Sequence, residues 1–267
     1  MEHCRLSYKN SSISYYRFGK GNKVAVCFHG YGEESESFTF LEKYAGDQFT
    51  FYAIDLPFHG QTAWHEGLNF RWEYLRDIIQ EIVNAKRHII LLGFSLGGRV
   101  ALSLYQAIPE KIEKLVLLAP DGLKVNFWYW LVTQTRAGNK IFHYTMKHPG
   151  WFLGFLKVLN RLGLVNQSIY KFTLYYIHDK KVRNDLYNRW TSLRRLRPDI
   201  EKIKSLIKNC KTPVRLIYGK YDKIILSARG EKFRKGIEDD CSLSIIDAGH
   251  QVLHEKHVKE IIESLKV

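Results

Sequence analysis

The sequence lacks the features that mark membrane-spanning and secreted proteins. No run of about 18 consecutive apolar residues occurs in the chain, so we expect no transmembrane helix. The first residues carry charge and lack an apolar stretch, so we expect no secretory signal peptide.

Cysteine is scarce and forms no recognisable pattern. The four cysteines form neither a CxxC pair nor a Cys/His motif, so neither a disulfide framework nor a metal site is indicated. Few scattered cysteines are typical of a reducing compartment, and we predict a cytoplasmic protein. No motif calls for a cofactor, and we expect none. The cysteines are Cys4, Cys27, Cys210 and Cys241.

Positive charge is in excess and unevenly distributed. The formal net charge is +14. Residues 123–200 hold fourteen Lys or Arg and three Asp or Glu, a net of +11, so one segment accounts for most of the basicity. Three explanations stay open: a solvated basic face, peripheral contact with an anionic membrane, or steering of an anionic substrate. No nucleic-acid-binding motif accompanies the charge, so nucleic acid is not an expected partner.

Apolar runs and amphipathic stretches alternate along most of the chain. Residues 5–9 and 12–18 predict a β-hairpin with Asn10 in its turn. The runs that follow, separated by helical periodicity, predict a parallel sheet with helices on both faces, an α/β fold. The predicted strands are 24–28, 51–54, 89–92, 115–118, 214–218 and 243–246. The predicted helices are 72–85, 97–107, 200–208, 228–236 and 252–265.

One segment interrupts this alternation. Residues 123–197 contain no strand-like run, are rich in aromatic and basic residues, and place Trp151, Phe155, Leu159 and Leu162 at helical spacing. We therefore predict a core formed by residues 1–122 and 198–267, with 123–197 inserted as a helical cap.

A serine lies where a strand passes directly into a helix. The run from Gly93 to Gly98, with Ser95 inside it, follows the predicted strand 89–92 and opens a helix. Small residues on both sides of a serine are typical of a nucleophile elbow, because neighbouring Cβ atoms would clash in so sharp a turn. Ser95 is the predicted nucleophile. The N–H of Leu96 at the helix start is a predicted oxyanion donor.

A glycine-rich loop follows the first long strand. His29, Gly30, Tyr31 and Gly32 stand directly after residues 24–28. A loop at this place can supply a second oxyanion donor, and we assign the N–H of Tyr31 to that role.

The predicted base and its orienting acid also follow strands. His250 comes after the last apolar run, and a neutral imidazole can accept the serine proton and return it to a leaving group. Two aspartates compete as the acid, Asp222 after strand 214–218 and Asp121 after strand 115–118. We favour Asp222 and interpret Asp121 as a turn or cap that starts the insert.

Together these motifs resemble the α/β-hydrolase superfamily over nearly the whole chain, within it the capped esterases, lipases and C–C bond hydrolases. The resemblance implies an eight-stranded, mostly parallel sheet with a helical cap after the sixth strand. The segment 55–60, interpreted as a structural turn, departs from the family at Phe58, where glycine is frequent. The cap departs in its basic charge.

The resemblance implies hydrolysis of a carboxylic ester, acyl or lipid-like, through an acyl-enzyme on Ser95 with His250 and Asp222. The alternative is a C–C hydrolase or lyase that holds an anionic small molecule. In that case cap arginines would bind a carboxylate, and the candidates are Arg194, Arg195 and Arg197. A non-enzymatic binding protein is the third hypothesis, although the complete Ser, Asp and His set argues against it.

Overall fold

The computed structural model describes residues 1–83, 88–124 and 127–266, excepting the side chains of Ser168, Ile169 and Phe172. Its strands are β1 (Glu2–Tyr8), β2 (Ser11–Phe18), β3 (Lys23–Phe28), β4 (Phe49–Ile54), β5 (Ile89–Phe94), β6 (Ile112–Leu118), β7 (Val214–Gly219) and β8 (Cys241–Ile246).

The strands form one eight-stranded sheet in the order β1-β2-β4-β3-β5-β6-β7-β8. The β1–β2 hairpin is antiparallel, as predicted, and β2 pairs antiparallel with β4. All remaining pairs are parallel. Parallel strands end at a common edge, so the loops after β3, β5, β6, β7 and β8 all start on one side of the sheet.

The strand register brings the glycine-rich motifs and the predicted site residues to that edge. Phe28 at the end of β3 lies opposite Gly93 of β5, which lies opposite Leu117 of β6. Farther along, Gly219 of β7 lies opposite Ile246 of β8. The loops that hold Ser95, Asp222 and His250 therefore start from adjacent or nearby strand ends.

Helices cover both faces of the sheet. They are α1 (Leu41–Ala45), α2 (Trp72–Ile82), α3 (Leu96–Ala107), α9 (Ile200–Cys210), α10 (Ser227–Arg234), which packs on β8, and α11 (Val258–Lys266). On one face α3 packs on β3, β5 and β6, and is flanked by α2 and α9. On the other, α11 packs on β6 and β7 and contacts α1. This arrangement explains why β3 and β5 are almost continuously apolar and buried.

One predicted helix starts later in the structure, and the predicted end of another lies outside the described residues. The last helix was predicted to start at Val252, but α11 starts at Val258, after a short 3-10 turn at Glu255–His257. Val252 and Leu253 are buried in the preceding loop, so their apolar character reflects loop anchoring and not a helix face. The last two residues of the predicted helix 72–85 lie outside the described residues, and α2 ends at Ile82.

The described chain divides into two compact units. The first contains Met1–Glu66, Phe70–Lys124 and Arg195–Val267, and the second contains Gly67–Asn69 and Val125–Arg194. These boundaries lie at 124/125 and 194/195, against the predicted 122/123 and 197/198. That the second unit acts as a cap stays a prediction.

The second unit is helical throughout its main segment. Its helices are α4 (Phe127–Gln134), α5 (Arg136–Lys147), α6 (Gly150–Arg161), α7 (Gln167–His178) and α8 (Lys180–Ser192). Thr135 and Asp179 cap α5 and α8 by accepting hydrogen bonds from the backbone amides of Gly138 and Val182. Trp190 of α8 packs edge-on against Tyr129 of α4. Within the described ranges of both units, no helix combines the length and apolar character needed to cross a bilayer.

Candidate active site

Ser95 occupies a strained junction between β5 and α3. Its backbone has φ 50° and ψ −113°, which is unusual for a residue with a side chain. The junction is held from the neighbouring strand, because Ser95 N–H donates to the Leu118 carbonyl at 2.9 Å and the Ser95 carbonyl accepts from Asp121 N–H at 2.8 Å. The end of β6 thus fixes the backbone of Ser95.

The glycines beside Ser95 permit close backbone approach. A Cβ on Gly97 would overlap the Phe28 carbonyl at the end of β3, and one on Gly98 would overlap Pro120 after β6. The first turn of α3 is therefore wedged between two strand ends with no room for side chains. This explains why the elbow needs glycine at these positions.

His250 connects Ser95 with Asp222. Its Nε2 lies 3.0 Å from Ser95 Oγ, and its Nδ1 lies 2.8 Å from Asp222 Oδ2. The side chain of His250 is 20% exposed and that of Asp222 is fully buried. The structure therefore brings together three of the predicted site residues, although they lie up to 155 positions apart in the chain.

The surroundings of Asp222 fix the proton positions on the imidazole. Its Oδ1 accepts hydrogen bonds from the backbone amides of Ile224 and Ile225, at 2.7 and 2.9 Å. A carboxylate only accepts, so Nδ1 of His250 must donate to Oδ2. In the neutral imidazole Nε2 is then the acceptor, and the Ser95 hydroxyl donates to it.

The competing aspartate has different partners. Asp121 Oδ1 accepts from the Gly122 amide at 2.8 Å, and its Oδ2 lies 3.4 Å from Nε of buried Arg99. Its own amide donates to Ser95, as described above. Asp121 therefore supports the backbone of the elbow, whereas Asp222 is the aspartate beside His250.

The two predicted oxyanion donors lie on neighbouring elements. Leu96 is the first residue of α3, and the first amides of a helix have no helical carbonyl to bind. Tyr31 lies in the loop after β3, which is turned by a hydrogen bond from the Glu33 amide to the Gly30 carbonyl at 3.3 Å. That both N–H groups bind an oxyanion stays a prediction.

Sequence reasoning missed a link between two site loops. Glu33 Oε1 accepts from Gln251 Nε2 at 2.8 Å, and its Oε2 accepts from the Gly30 amide at 3.3 Å. Burial raises the pKa of the Glu33 carboxyl, while Gln251, Gly30 and His250 counteract this rise. The only sequence signal was the position of Glu33 three residues after Gly30, and of Gln251 next to His250.

The loop after β4 is joined to the loop after β3 by hydrogen bonds. Buried His29 accepts from the Leu56 amide through Nε2 at 3.1 Å, so its Nδ1 is protonated and donates to the Gly30 carbonyl at 2.8 Å. Buried Asp55 accepts from the backbone amides of Ser35 and Gln61. These contacts fit the predicted structural turn. Phe58 has φ 64°, which explains why glycine is frequent at its position.

The three arginines predicted as an anion clamp have separate environments. Arg194 donates to the Thr133 carbonyl at 3.2 Å within the second unit. Arg195 and Arg197 are exposed residues of the first unit. Among the described residues, no group of three or more His, Cys, Asp or Glu is placed to hold a metal ion.

Three known proteins resemble this chain in sequence or in fold. An uncharacterized hydrolase of Bacillus subtilis (strain 168), YugF, is 23% identical over 242 residues, covering 88% of this chain and 86% of that protein. The pimeloyl-acyl-carrier-protein methyl ester esterase of Salmonella heidelberg (strain SL476) is 31% identical over 110 residues, covering 41% of each chain. The solved structure of a thermophilic esterase from Thermogutta terrifontis superposes with a TM-score of 0.70 at 15% identity, covering 100% of this chain and 98% of that one.

A family profile covers most of the chain. The profile described as serine aminopeptidase, S33 matches residues 19–257, a range that includes every site residue discussed above. The sheet order and the solved-structure match show the same fold. The chain therefore belongs to the serine aminopeptidase S33 family of α/β-hydrolases.

Proposed function

We propose that the protein hydrolyses carboxylic esters, with Ser95 as nucleophile, His250 as base and Asp222 as orienting acid. One observation carries the proposal. The Ser95 hydroxyl, at a strained strand–helix junction, is joined to a buried carboxylate through the two nitrogens of one imidazole, at 3.0 and 2.8 Å. A nucleophile, a base within reach and a group that orients the base are what covalent acyl transfer requires.

In the first half-reaction Ser95 Oγ forms a bond to the acyl carbon while its proton passes to His250 Nε2. Asp222 keeps Nδ1 protonated before the transfer and stabilises the imidazolium after it. The imidazolium then gives its proton to the alcohol oxygen as the C–O bond breaks. The products are the free alcohol and an acyl group on Ser95.

In the second half-reaction water replaces the alcohol. His250 accepts a proton from water as the water oxygen bonds to the acyl carbon, and returns that proton to Ser95 Oγ as the acid leaves. The N–H groups of Leu96 and Tyr31 stabilise the oxyanion formed in both steps. Loss of one such donor costs about 10²–10³ in kcat. No cofactor enters either step.

The charge of the chain bears on the substrate class. Residues 125–194 contain eleven Lys or Arg and two Asp. Asp179 caps α8 and Asp185 lies 3.8 Å from Arg189, so both carboxylates already have partners. The excess of positive charge disfavours a cationic substrate, such as the α-ammonium group that an aminopeptidase must bind. We therefore propose neutral or anionic acyl esters as substrates, in keeping with the methyl ester esterase named above.

Two matched substrates test this choice. p-Nitrophenyl propionate and the p-nitrophenyl ester of alanine differ in acyl structure only by the α-ammonium group. After each rate is divided by its uncatalysed rate, we expect a higher kcat/KM for the propionate. A preference for the alanine ester would contradict the substrate class. If the protein hydrolyses neither of these two esters and no ester with a longer acyl chain, the proposed ester hydrolase activity is contradicted.

A further inference from the structure

Helix α6 carries an apolar face that the described structure leaves exposed. Trp151, Phe155, Val158 and Leu162, the last directly after the helix, are 49%, 55%, 51% and 65% exposed. We call these four residues the α6 face. Their spacing of four, three and four residues places them along one side of the helix. Leu156 points elsewhere and is buried, so the helix already has an inner apolar side.

An exposed face of this kind needs an explanation. Single exposed apolar residues are ordinary, but a row of large ones marks a surface that binds something. The inner side of α6 already supplies its packing in the second unit, since α6 contacts α7. The α6 face therefore contributes nothing evident to the folding of this unit.

The charged residues on α6, and those close to it in sequence, are all positive. Lys157 and Arg161 are exposed on α6 itself, and Lys147 is exposed shortly before it. The nearest acidic residues in the sequence are Asp121 and Asp179, 29 and 18 positions beyond the ends of the helix. Cations beside exposed Trp, Phe and Leu are the composition of helices that lie in the interface of an anionic bilayer.

We propose that the α6 face docks the protein on anionic phospholipid bilayers. The apolar side chains enter the headgroup boundary, and Lys157 and Arg161 contact lipid phosphates beside them. A second copy of this chain fits less well, because two α6 faces in contact would bring like charges together. The proposal does not rest on the ester hydrolase mechanism, since binding requires no turnover.

Sedimentation with vesicles tests the proposal. The wild-type protein is mixed with sucrose-loaded vesicles of phosphatidylglycerol and phosphatidylcholine in equal amounts, or of phosphatidylcholine alone. We expect binding to the first and at least about tenfold weaker binding to the second. Binding to the anionic vesicles should also weaken at least about tenfold when salt shortens the Debye length from about 30 Å to about 3 Å.

Two double variants separate the apolar and the charged contributions. Trp151→Ser with Phe155→Ser removes side chains from the α6 face and keeps every charge. Lys157→Gln with Arg161→Gln removes two charges and keeps the face. Each should weaken binding to anionic vesicles by about tenfold or more.

Matched changes elsewhere serve as controls. Ile245→Ser removes an apolar side chain that is 51% exposed on β8, and Lys202→Gln with Lys208→Gln removes two exposed charges from α9. Both should bind as the wild type does. Circular dichroism and thermal unfolding confirm that every variant is folded.

Several outcomes would overturn the proposal. These are absence of binding to anionic vesicles, equal binding to both vesicle types, and equal losses in the α6 variants and their controls. Self-association in sedimentation velocity that disappears with Trp151→Ser and Phe155→Ser, without vesicle binding, would assign the α6 face to a dimer. Capture of a protein partner through the face, without vesicle binding, would likewise overturn it.

Discussion

Glu33 and Gln251 join two loops of the candidate site through a hydrogen bond of 2.8 Å between Oε1 and Nε2. Glu33 belongs to the loop after β3, which holds Tyr31, and Gln251 follows His250. Because the other carboxylate oxygen of Glu33 accepts from the Gly30 amide, one side chain ties the loop of His250 to the loop of the predicted oxyanion donor. This linkage predicts that Glu33 is a positioning residue.

Replacement of Glu33 by Gln should lower kcat and leave KM nearly unchanged. An amide presents one acceptor and one donor, so it cannot accept from both Gly30 and Gln251. We expect a loss of about tenfold, the equivalent of about one hydrogen bond to a charged group. Glu34→Gln makes the same chemical change at an exposed neighbouring residue and should have wild-type kinetics. Equal kinetics for both variants would contradict the positioning role.

The same variant should alter the pH dependence of stability. Burial raises the pKa of Glu33 above its ordinary value of 4.5. Between pH 4.5 and the folded-state pKa, the folded protein therefore binds the Glu33 proton more strongly than the unfolded chain does. The contribution of Glu33 to the stability of the fold is greatest at low pH and is lost as pH rises through the folded-state pKa. Relative to Glu33→Gln, the wild type should gain unfolding free energy from about pH 7.5 to about pH 5. Urea unfolding at both values measures this, and a difference that is constant or falls on acidification would contradict the shift.

Asp222→Asn should damage ester hydrolysis far more than Asp121→Asn. An amide at residue 222 can donate to His250 Nδ1 and so leave the proton on Nε2, where it blocks acceptance from Ser95. We expect a loss on the order of 10³–10⁴-fold in kcat. At residue 121 the amide still accepts from the Gly122 amide but loses the contact with Arg99. This loss weakens the packing around Ser95 and leaves the proton positions on His250 unchanged. The reverse order of damage in steady-state kinetics would mean that Asp121 is the acid.

Gly97→Ala should destabilise the fold, whereas Gly154→Ala should not. A methyl group on Gly97 overlaps the Phe28 carbonyl, so the elbow must shift, at a cost of about 1–3 kcal/mol or more. Gly154 lies inside α6 with nothing within 4 Å of an added Cβ, and alanine there should stabilise by about 0.5–1 kcal/mol. Chemical denaturation of both variants measures the difference. Similar effects in the two would show that the elbow is not tightly packed.

The sequence predicted the central strands well because they are buried on both faces. The ends of the strands were harder to predict from the sequence, as β6 shows. It starts at Ile112, not at Leu115, and the intervening Lys114 looks like a surface residue in sequence. In the structure Lys114 is buried and its Nζ donates to the Leu265 carbonyl at 3.0 Å. A partner 151 positions away gives no local pattern.

The site shows the same division. The proximity of Ser95, Asp222 and His250 was predictable because each follows a strand in a motif with a physical reason of its own. Glu33 and Gln251 were not, because their contact spans 218 positions and neither lies in such a motif. The φ of 64° at Phe58 was likewise hidden, since a phenylalanine gives no sign of a left-handed backbone.

Turnover by Ser95→Ala tests the central claim most directly. The substitution removes one oxygen, which contacts His250, so the fold should be unchanged by circular dichroism. We expect p-nitrophenyl butyrate hydrolysis to fall by about 10⁴–10⁶-fold, as loss of the nucleophile requires. Near-normal turnover by the folded variant would contradict the assignment of Ser95 as the nucleophile.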